Sequence, residues 1–419
     1  MIIRWVNLYI GDFKVSVMEA KKNIVIMGAG YGGITAALRL ARLFRLHPEY
    51  QVHLIDRNPY HTLKTQLHEA AVRKTEISIP IDRVIQRQNI IFHLGEVTKI
   101  DSVGHAVHIG SRSLPFNYLV IALGSQVNFY NIPGLQENSF PLQTLKDAQQ
   151  IYDSISQLCA YATTETNEER RKDALRFVIG GGGLSGVEFA AELADHVAQC
   201  IRNYRMNPHE VEIIIIESGA HVVSKMDESF AMRIHKKLLD RGIKIITSTK
   251  IVSRTPDTVV LSSGEVLKTK TLIWTGGIRI QDLMDKSGMK TGQLGRIIVD
   301  EFLQVEGNFH IYAIGDNALA LNPSTKEPVP AAAQFALQQG RLVADNIYAT
   351  IYGGQKKPYR PKVLGEVVSL GRHLAIGWMA LPLLKKITFV GFLGNLLKTA
   401  IKERHIILLR KESRKWITY

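Results

Sequence analysis

The sequence predicts an α/β fold of two Rossmann-like units, the second inserted in the first, followed by an amphipathic C-terminal region. Three observations carry this expectation. A strand, a glycine-rich turn, a helix, a strand and an acid follow one another from residue 22, and the same series recurs from residue 174. A glycine-ended strand near residue 315 then returns to the first series. Residues 381–419 combine apolar runs with concentrated positive charge.

The first series opens on residues 22–27, a short apolar run of the kind that forms a buried parallel strand. Gly28-Ala29-Gly30-Tyr31-Gly32-Gly33 follows at once, residues 34–44 read as a helix, and a strand at 51–55 ends in Asp56. Gly28 allows the tight turn, Gly30 lets the backbone approach a pyrophosphate, and Gly33 lets the helix pack close to the strand. The helix N-terminus attracts phosphates, and Asp56 can accept both ribose hydroxyls. A glycine turn without function would leave the strand, helix and acid around it unexplained. This unit is expected to bind a dinucleotide.

The second series has a strand at 174–179, the loop Gly181-Gly182-Gly183-Leu184-Ser185-Gly186, a helix at 187–202 and a strand at 211–216 ending in Glu217. A carboxylate at that strand end pairs with a free ribose 2′-hydroxyl and repels a 2′-phosphate. Residues 218–221 contain no arginine, so NADH is expected rather than NADPH.

Three further strands close on glycine. Residues 118–125 end in Gly124-Ser125, residues 271–277 in Gly276-Gly277, and residues 309–316 in Gly315-Asp316. Their order places the first unit at 18–125 and 295–355, the second at 126–294, and a tail at 356–419.

Composition narrows the alternatives. Hydrophobic residues make up 46% of the chain, enough for real cores. The only cysteines, Cys159 and Cys200, have no CxxC spacing, which disfavours a disulfide framework, a zinc ribbon and an iron–sulfur cluster. A reducing compartment such as the cytosol fits. His53, His61 and His68 match no usual zinc spacing, so no metal is expected. Residues 1–20 lack the pattern of a signal peptide. Met18 sits just before the first strand, which makes residues 1–17 a candidate over-extended start.

Residues 22–350 resemble the two-dinucleotide-binding flavoprotein superfamily, and within it the type II NADH:quinone oxidoreductases. Four segments carry the resemblance: IVIMGAGYGGI at 24–34, VIGGGGLSGVEFAAEL at 178–193, WTGG at 274–277, and Ala333-Gln334-Phe335-Ala336-Leu337-Gln338, which matches the family's AQxAxQ quinone signature. The resemblance implies FAD in the first unit, at Gly28, Gly30, Tyr31, Gly32, Gly33, Asp56, Gly124, Gly315, Asp316, Ala333 and Gln334, with Asp316 on the ribityl chain. It implies NADH in the second, at Gly181, Gly183, Leu184, Ser185, Gly186, Glu188, Glu217 and Gly276. Glu188, Gln334 and Gln338 are the implied catalytic residues.

Read from spacing alone, Gln334 and Gln338 share one helix face and could bond the carbonyl oxygens of a quinone or of the flavin ring. A solvated face is the commoner outcome for such a pair, and the resemblance reverses that weighting. Glu188 in a first helical turn is commonly a partner of the helix dipole. The resemblance instead puts it beside the reacting groups, where it could relay protons.

Net charge is +14, and half of that excess lies in residues 381–419. Within them Phe392, Leu393, Leu396, Leu397, Ala400 and Ile401 fall on one helical face, with Asn395, Lys398, Thr399 and Lys402 on the other. Ile406-Ile407-Leu408-Leu409 adds a second apolar patch, with Trp416 beyond. This is the pattern of a membrane-anchoring helix lying in the lipid interface. Packing on the protein's own core is the alternative. No apolar run is long enough to span a bilayer, and no nucleic-acid motif accompanies the charge. The expectation is a non-proton-pumping NADH:quinone oxidoreductase of the respiratory chain, peripheral on the cytoplasmic side of the cell membrane. It would bind an anionic membrane surface and a membrane quinone, and a homodimer is implied by the resemblance. The rival readings are a ferredoxin- or rubredoxin-linked NADH reductase and a slow-turnover membrane-associated redox sensor. A disulfide reductase or a sulfide:quinone enzyme would need cysteines at the flavin.

Overall fold

The computed structural model describes residues 4–10, 13–19, 21–86, 88–381 and 384–414. The first unit is built from β1 (Lys22–Met27), α1 (Tyr31–Leu43), β2 (Tyr50–Asp56), β3 (Ile90–Leu94) and β4 (Tyr118–Ile121). The chain leaves it through β5 (Gln126–Val127). The second unit holds β6 (Phe140–Pro141), α2 (Leu145–Ala162), β7 (Arg176–Gly180), α3 (Leu184–Tyr204), β8 (Glu212–Ile216), β9 (Ile243–Ile246) and β10 (Thr271–Trp274). β11 (Ile278–Arg279) leads back to β12 (Ile311–Ala313) and α4 (Ala333–Tyr352). The tail forms β13 (Gly365–Ser369), β14 (Ala375–Leu381), β15 (Leu384–Gly391) and α5 (Phe392–Arg414).

Two five-stranded sheets share one plan. Their orders are β12-β4-β1-β2-β3 and β6-β10-β7-β8-β9, and every pairing in both is parallel. In each, the strand feeding the glycine loop is central. The acid-bearing strand lies on one side of it and the closing strand on the other. Ligands of parallel sheets bind at that switch point, beyond the carboxyl ends of the strands.

The helices begin earlier than their sequence suggests. α1 starts at Tyr31 and α3 at Leu184, so Gly33 and Gly186 lie inside them. Glycine is a poor helix former, which makes a later start look natural. Here its missing side chain is the point. A Cβ on Gly33 would strike the Gly28 carbonyl, and one on Gly186 would strike the Gly181 carbonyl. β7 likewise begins at Arg176, because Ala174 and Leu175 end a preceding helix, Glu168–Leu175.

The insertion ends sooner than expected. β5 and β11 pair antiparallel, Gln126 opposite Arg279, so the two crossings between units lie side by side. The return therefore falls at Ile278–Arg279 and not at 295. Ile280, Met284 and Met289 already pack with Val25, Met27 and Ile55 of the first unit. That stretch has no regular period from which its allegiance could be read.

The tail is sewn to both units. Val368, Leu370 and Ile376 join Phe177 and Ile215 of the second unit and Leu67 and Ala71 of the first in one core. Leu409 of α5 joins Ile34 and Val343 in the core under α1 and α4. Among the described residues no helix is long and apolar enough to cross a membrane.

Candidate functional site

Both glycine loops have the same local construction. Gly28 and Gly181 sit at φ +98° and +108°, in the region that favours glycine. A side chain added at Gly30 or Gly183 would meet nothing within 4 Å, so the backbone there faces open space. Each acid reaches back to its loop. Asp56 Oδ2 accepts from the Ala29 amide at 2.7 Å, and Glu217 Oε2 accepts from the Gly182 amide at 2.6 Å. Asn58 N–H and Gly219 N–H hold the second carboxylate oxygens at 2.8 and 2.6 Å.

One continuous cleft of about 2400 Å³ runs past both loops. Pockets for a single small ligand are typically about 300–1000 Å³, so the cleft has room for two dinucleotides. Every site residue expected from the sequence lines it except Gly33 and Gly186, which pack helix on loop.

Side chains that the sequence does not single out fix the far end of the first site. Ser125 Oγ donates to Asp316 Oδ2 at 2.7 Å, and Gln339 Oε1 accepts from the Gly315 amide at 2.6 Å. The Asn317 amide bonds both ways with the Gly124 backbone, at 2.7 and 3.1 Å. The Ser125 and Asn317 contacts join the end of β4 to the turn after β12, nearly 200 residues away in sequence, where no spacing rule could reveal them, and Gln339 ties the same turn to α4.

Where the tail meets the cleft, a charged cluster forms. Lys398 Nζ lies 2.6 Å from Glu69 Oε1 and 3.2 Å from His68 Nε2. His68 Nδ1 is 3.5 Å from Glu188 Oε2, and the Ser369 amide donates to Glu188 Oε1 at 2.9 Å. Behind them Arg73 pairs with the buried Glu192, which also accepts from Ser369 Oγ at 3.3 Å. Burial pushes Glu188 up to about 7, with the Lys398 ammonium and the Ser369 hydrogen bond opposing it. Burial, then Lys398, pushes His68 down to about 3. Burial raises the Glu69 carboxyl, but Lys398, His68 and Arg73 together outweigh it and the net shift is downward. At neutral pH the array thus sets a neutral His68 beside a Glu188 near its titration midpoint. His68, Glu69, Lys398 and Ser369 were not expected as site residues.

Two expectations need correction here. Lys398 does not flank a lipid-facing stripe in solvent. It points inward, because α5 buries Gly394 and Leu409 and turns Lys398 and His405 toward the body. Leu396, Ala400 and Ile407 remain exposed, as does Glu403, and Ile401 is exposed at the cleft rim. The side chains of Phe392, Leu393, Asn395, Lys402, Leu408 and Trp416 lie outside the described residues. The second correction concerns the glutamines. Both line the cleft, but their amides are engaged by this chain's own backbone. Gln338 donates to the Lys362 carbonyl at 2.8 Å and accepts its N–H at 2.9 Å. Gln334 accepts the Leu364 N–H at 3.1 Å and donates to the Gly365 carbonyl at 3.4 Å. The pair clamps the irregular segment running into β13, which walls the cleft.

The three histidines go separate ways. His53 bonds His93 at 2.9 Å, His61 bonds the Ala29 carbonyl at 2.8 Å, and His68 joins the Glu188 cluster. Neither Cys159 nor Cys200 lines the cleft.

The chain is similar to known proteins in sequence and in shape. The family described as pyridine nucleotide-disulphide oxidoreductase matches residues 22–340. A type II NADH:quinone oxidoreductase from Staphylococcus aureus is 29% identical over 367 residues, covering 86% of this chain and 90% of that protein. NDH2 from Plasmodium falciparum, solved in complex with NADH, superposes with a TM-score of 0.83 at 20% identity, over 94% of this chain and 96% of that one. The sulfide:quinone oxidoreductase from the hyperthermophilic bacterium Aquifex aeolicus gives 0.76 at 22% identity, over 93% and 92%.

Proposed function

The chain belongs to the pyridine nucleotide-disulphide oxidoreductase family, and from that premise we propose that it is a type II NADH:quinone oxidoreductase that uses FAD and pumps no protons. The observation that carries this reading is the single cleft. Two loop-and-acid sites of the same construction open into it, and a carboxyl poised near neutral pH lies on its wall. FAD, when bound, supplies the two-electron relay between the dinucleotide and the quinone.

The chain's own groups divide the remaining tasks. Open backbone at Gly30 and Gly183, each beside a helix N-terminus, suits two pyrophosphates. Asp56 and Glu217 keep free lone pairs for ribose hydroxyls, and Glu217 disfavours a 2′-phosphate. Glu188 holds a proton at Oε2 and releases it toward the cleft, and Lys398 tunes how readily it does so. Gln334 and Gln338 position the Lys362–Gly365 wall. Leu397 and Ile401 give the cleft an apolar rim suited to a hydrophobic tail.

The same reading carries attachment to an anionic membrane surface from the cytoplasmic side, and a homodimer. The absence of both cysteines from the cleft favours it over a sulfide-oxidising or disulfide-reducing enzyme. Steady-state assay with NADH and a short-chain quinone tests it. Sustained turnover is the expected result. Fast flavin bleaching by NADH with no quinone-dependent reoxidation would overturn the quinone assignment.

A further inference from the structure

Three distant parts of the chain meet at one buried imidazole. His68 sits on the short helix Leu67–Ala70 of the first unit and is 4% exposed. Lys398 of α5 brings Nζ to 3.2 Å from its Nε2, and Glu188 of α3 places Oε2 3.5 Å from its Nδ1. These partners fix where the ring's proton lies. Lys398 Nζ also holds Glu69 Oε1 at 2.6 Å. It has donors to give, so it donates to both neighbours and leaves Nε2 as the bare nitrogen. Burial keeps the imidazole neutral, and Lys398 adds to that effect. A neutral imidazole carries a single proton, which therefore sits on Nδ1 and faces Glu188.

We propose that Lys398 locks His68 as its Nδ1–H tautomer, and that His68 thereby holds a hydrogen-bond donor ready on Oε2 of Glu188. The role rests on the quinone reading above, because it serves the carboxyl that gives up a proton there. His68 is a positioning residue: it acts through Glu188 and passes on no proton of its own. At 3.5 Å the Nδ1–Oε2 contact is long for a hydrogen bond. Contacts of this kind tighten when charge develops on the acceptor. Once Glu188 has released its proton, Nδ1–H closes onto Oε2 while the Ser369 amide stays on Oε1, now 2.9 Å away. The new carboxylate then has one donor on each oxygen, and hydrogen bonds to the charged form favour it.

The other charged groups around the pair do not replace this donor. Glu69 is held by Lys398, Arg73 pairs with Glu192, and Lys64 lines the small cavity that His68 and Glu188 share. Ser369 and Lys398 both belong to the tail, so docking of the tail sets how readily Glu188 parts with its proton.

Nitrogen NMR of the full-length holoenzyme with isotope-labelled histidine reads the tautomer directly, the His68 ring being assigned by its loss in His68→Gln. The expected result is an Nδ1–H ring in wild type. Lys398→Met should move it toward Nε2–H at a pH where Glu188 is protonated. A wild-type Nε2–H ring, or a tautomer that ignores Lys398→Met, overturns the proposal. The pH profile of quinone reduction supplies the second readout. His68→Leu removes the donor, so its alkaline decline should move up by about one pH unit. His68→Asn sets an amide nitrogen where Nδ1 stands and should keep the wild-type profile. His68→Gln sets its amide where Nε2 stands and should shift as His68→Leu does. NADH-to-ferricyanide activity, unchanged in all three, certifies the fold. Equal profiles for His68→Asn and His68→Leu overturn the proposal, since a merely structural ring would not separate them. If wild type itself fails to reduce a short-chain quinone, the quinone reading falls and takes this role with it. A wild type that turns over but carries the wrong tautomer sinks this proposal alone.

Discussion

At the scale of single residues, Glu188 makes the most exacting prediction. The folded chain holds a proton on this carboxyl up to a pH of about 7, whereas an ordinary glutamate loses it near 4.5. Between those values the folded state binds more protons than the unfolded one, so stability must fall as pH rises through that window. At about 1.4 kcal/mol per pH unit, the full cost of ionising it is about 3 kcal/mol. Glu188→Gln should flatten the pH dependence of urea stability between pH 5 and 7 and leave the variant more stable than wild type at pH 8. The catalytic counterpart concerns protons alone. Quinone reduction by wild type should decline above pH 7, and the variant should be slower and lose that profile. Ferricyanide takes electrons without protons, so its reduction should be unchanged; a matching loss with ferricyanide would remove Glu188 from proton transfer. Glu217 predicts in a second currency. Glu217→Gln removes the charge that opposes a 2′-phosphate, so the preference for NADH over NADPH should narrow at least about tenfold in kcat/KM. An unchanged ratio would mean that discrimination lies elsewhere in the cleft.

At the scale of elements, legibility follows the range of the forces involved. The central strands and glycine loops are local signals: an apolar run, a turn that only glycine permits, and an acid at the next strand end. The sequence therefore locates β1, β2, β7 and β8 within a residue or two, and both nucleotide loops with them. The charged cluster is the opposite case. Glu69 and Lys398 stand 329 residues apart, and only tail packing makes them partners. The tail helix shows the limit most clearly. Its period announces an apolar face, but period cannot say which neighbour covers which face. Core packing claims Gly394 and Leu409 and draws Lys398 inward with them, so only part of the expected lipid stripe stays outside. The glutamine pair is legible as two amides on one helix face but not as a clamp, because their partners are backbone groups of the irregular segment running into β13. That clamp is testable. Gln338→Ala removes two hydrogen bonds to Lys362, a loss of about 1–2 kcal/mol at a solvent-accessible position. The cleft wall should loosen and the KM for quinone rise several-fold, with NADH-to-ferricyanide activity unaffected. Equal losses in both assays would show that the glutamine supports the fold generally.

At the scale of the whole molecule, charge and the exposed side of α5 bear on one question, how the cleft meets its acceptor. The chain carries +14, and residues 381–419 hold half of it. Lys398 is committed to Glu69, so it is not among the charges available to a surface. On α5, Leu396, Ile401 and Ile407 are each more than half exposed, and Ile401 also lines the cleft. An apolar face seated in lipid at that rim would let a hydrophobic quinone reach the cleft without crossing water. Two forces would then hold the protein to a bilayer, and they can be separated. Attraction of the basic surface to anionic lipid is screened with a Debye length of about 8 Å at physiological ionic strength and shorter at higher salt. Insertion of apolar side chains is not screened. Wild type should therefore bind anionic vesicles strongly at low salt and keep a residual affinity at about 0.5 M salt, where the Debye length is only a few ångströms. Removing α5 is a poor test of this, because truncation after Gly391 also deletes Lys398 from the cluster and Leu409 from the core. The double variant Leu396→Glu with Ile407→Glu alters only exposed positions. It should retain NADH oxidation with a water-soluble quinone, keep most low-salt binding, and lose the salt-resistant part. If it floats with vesicles as wild type does at high salt, the outward face of α5 is not what enters the lipid.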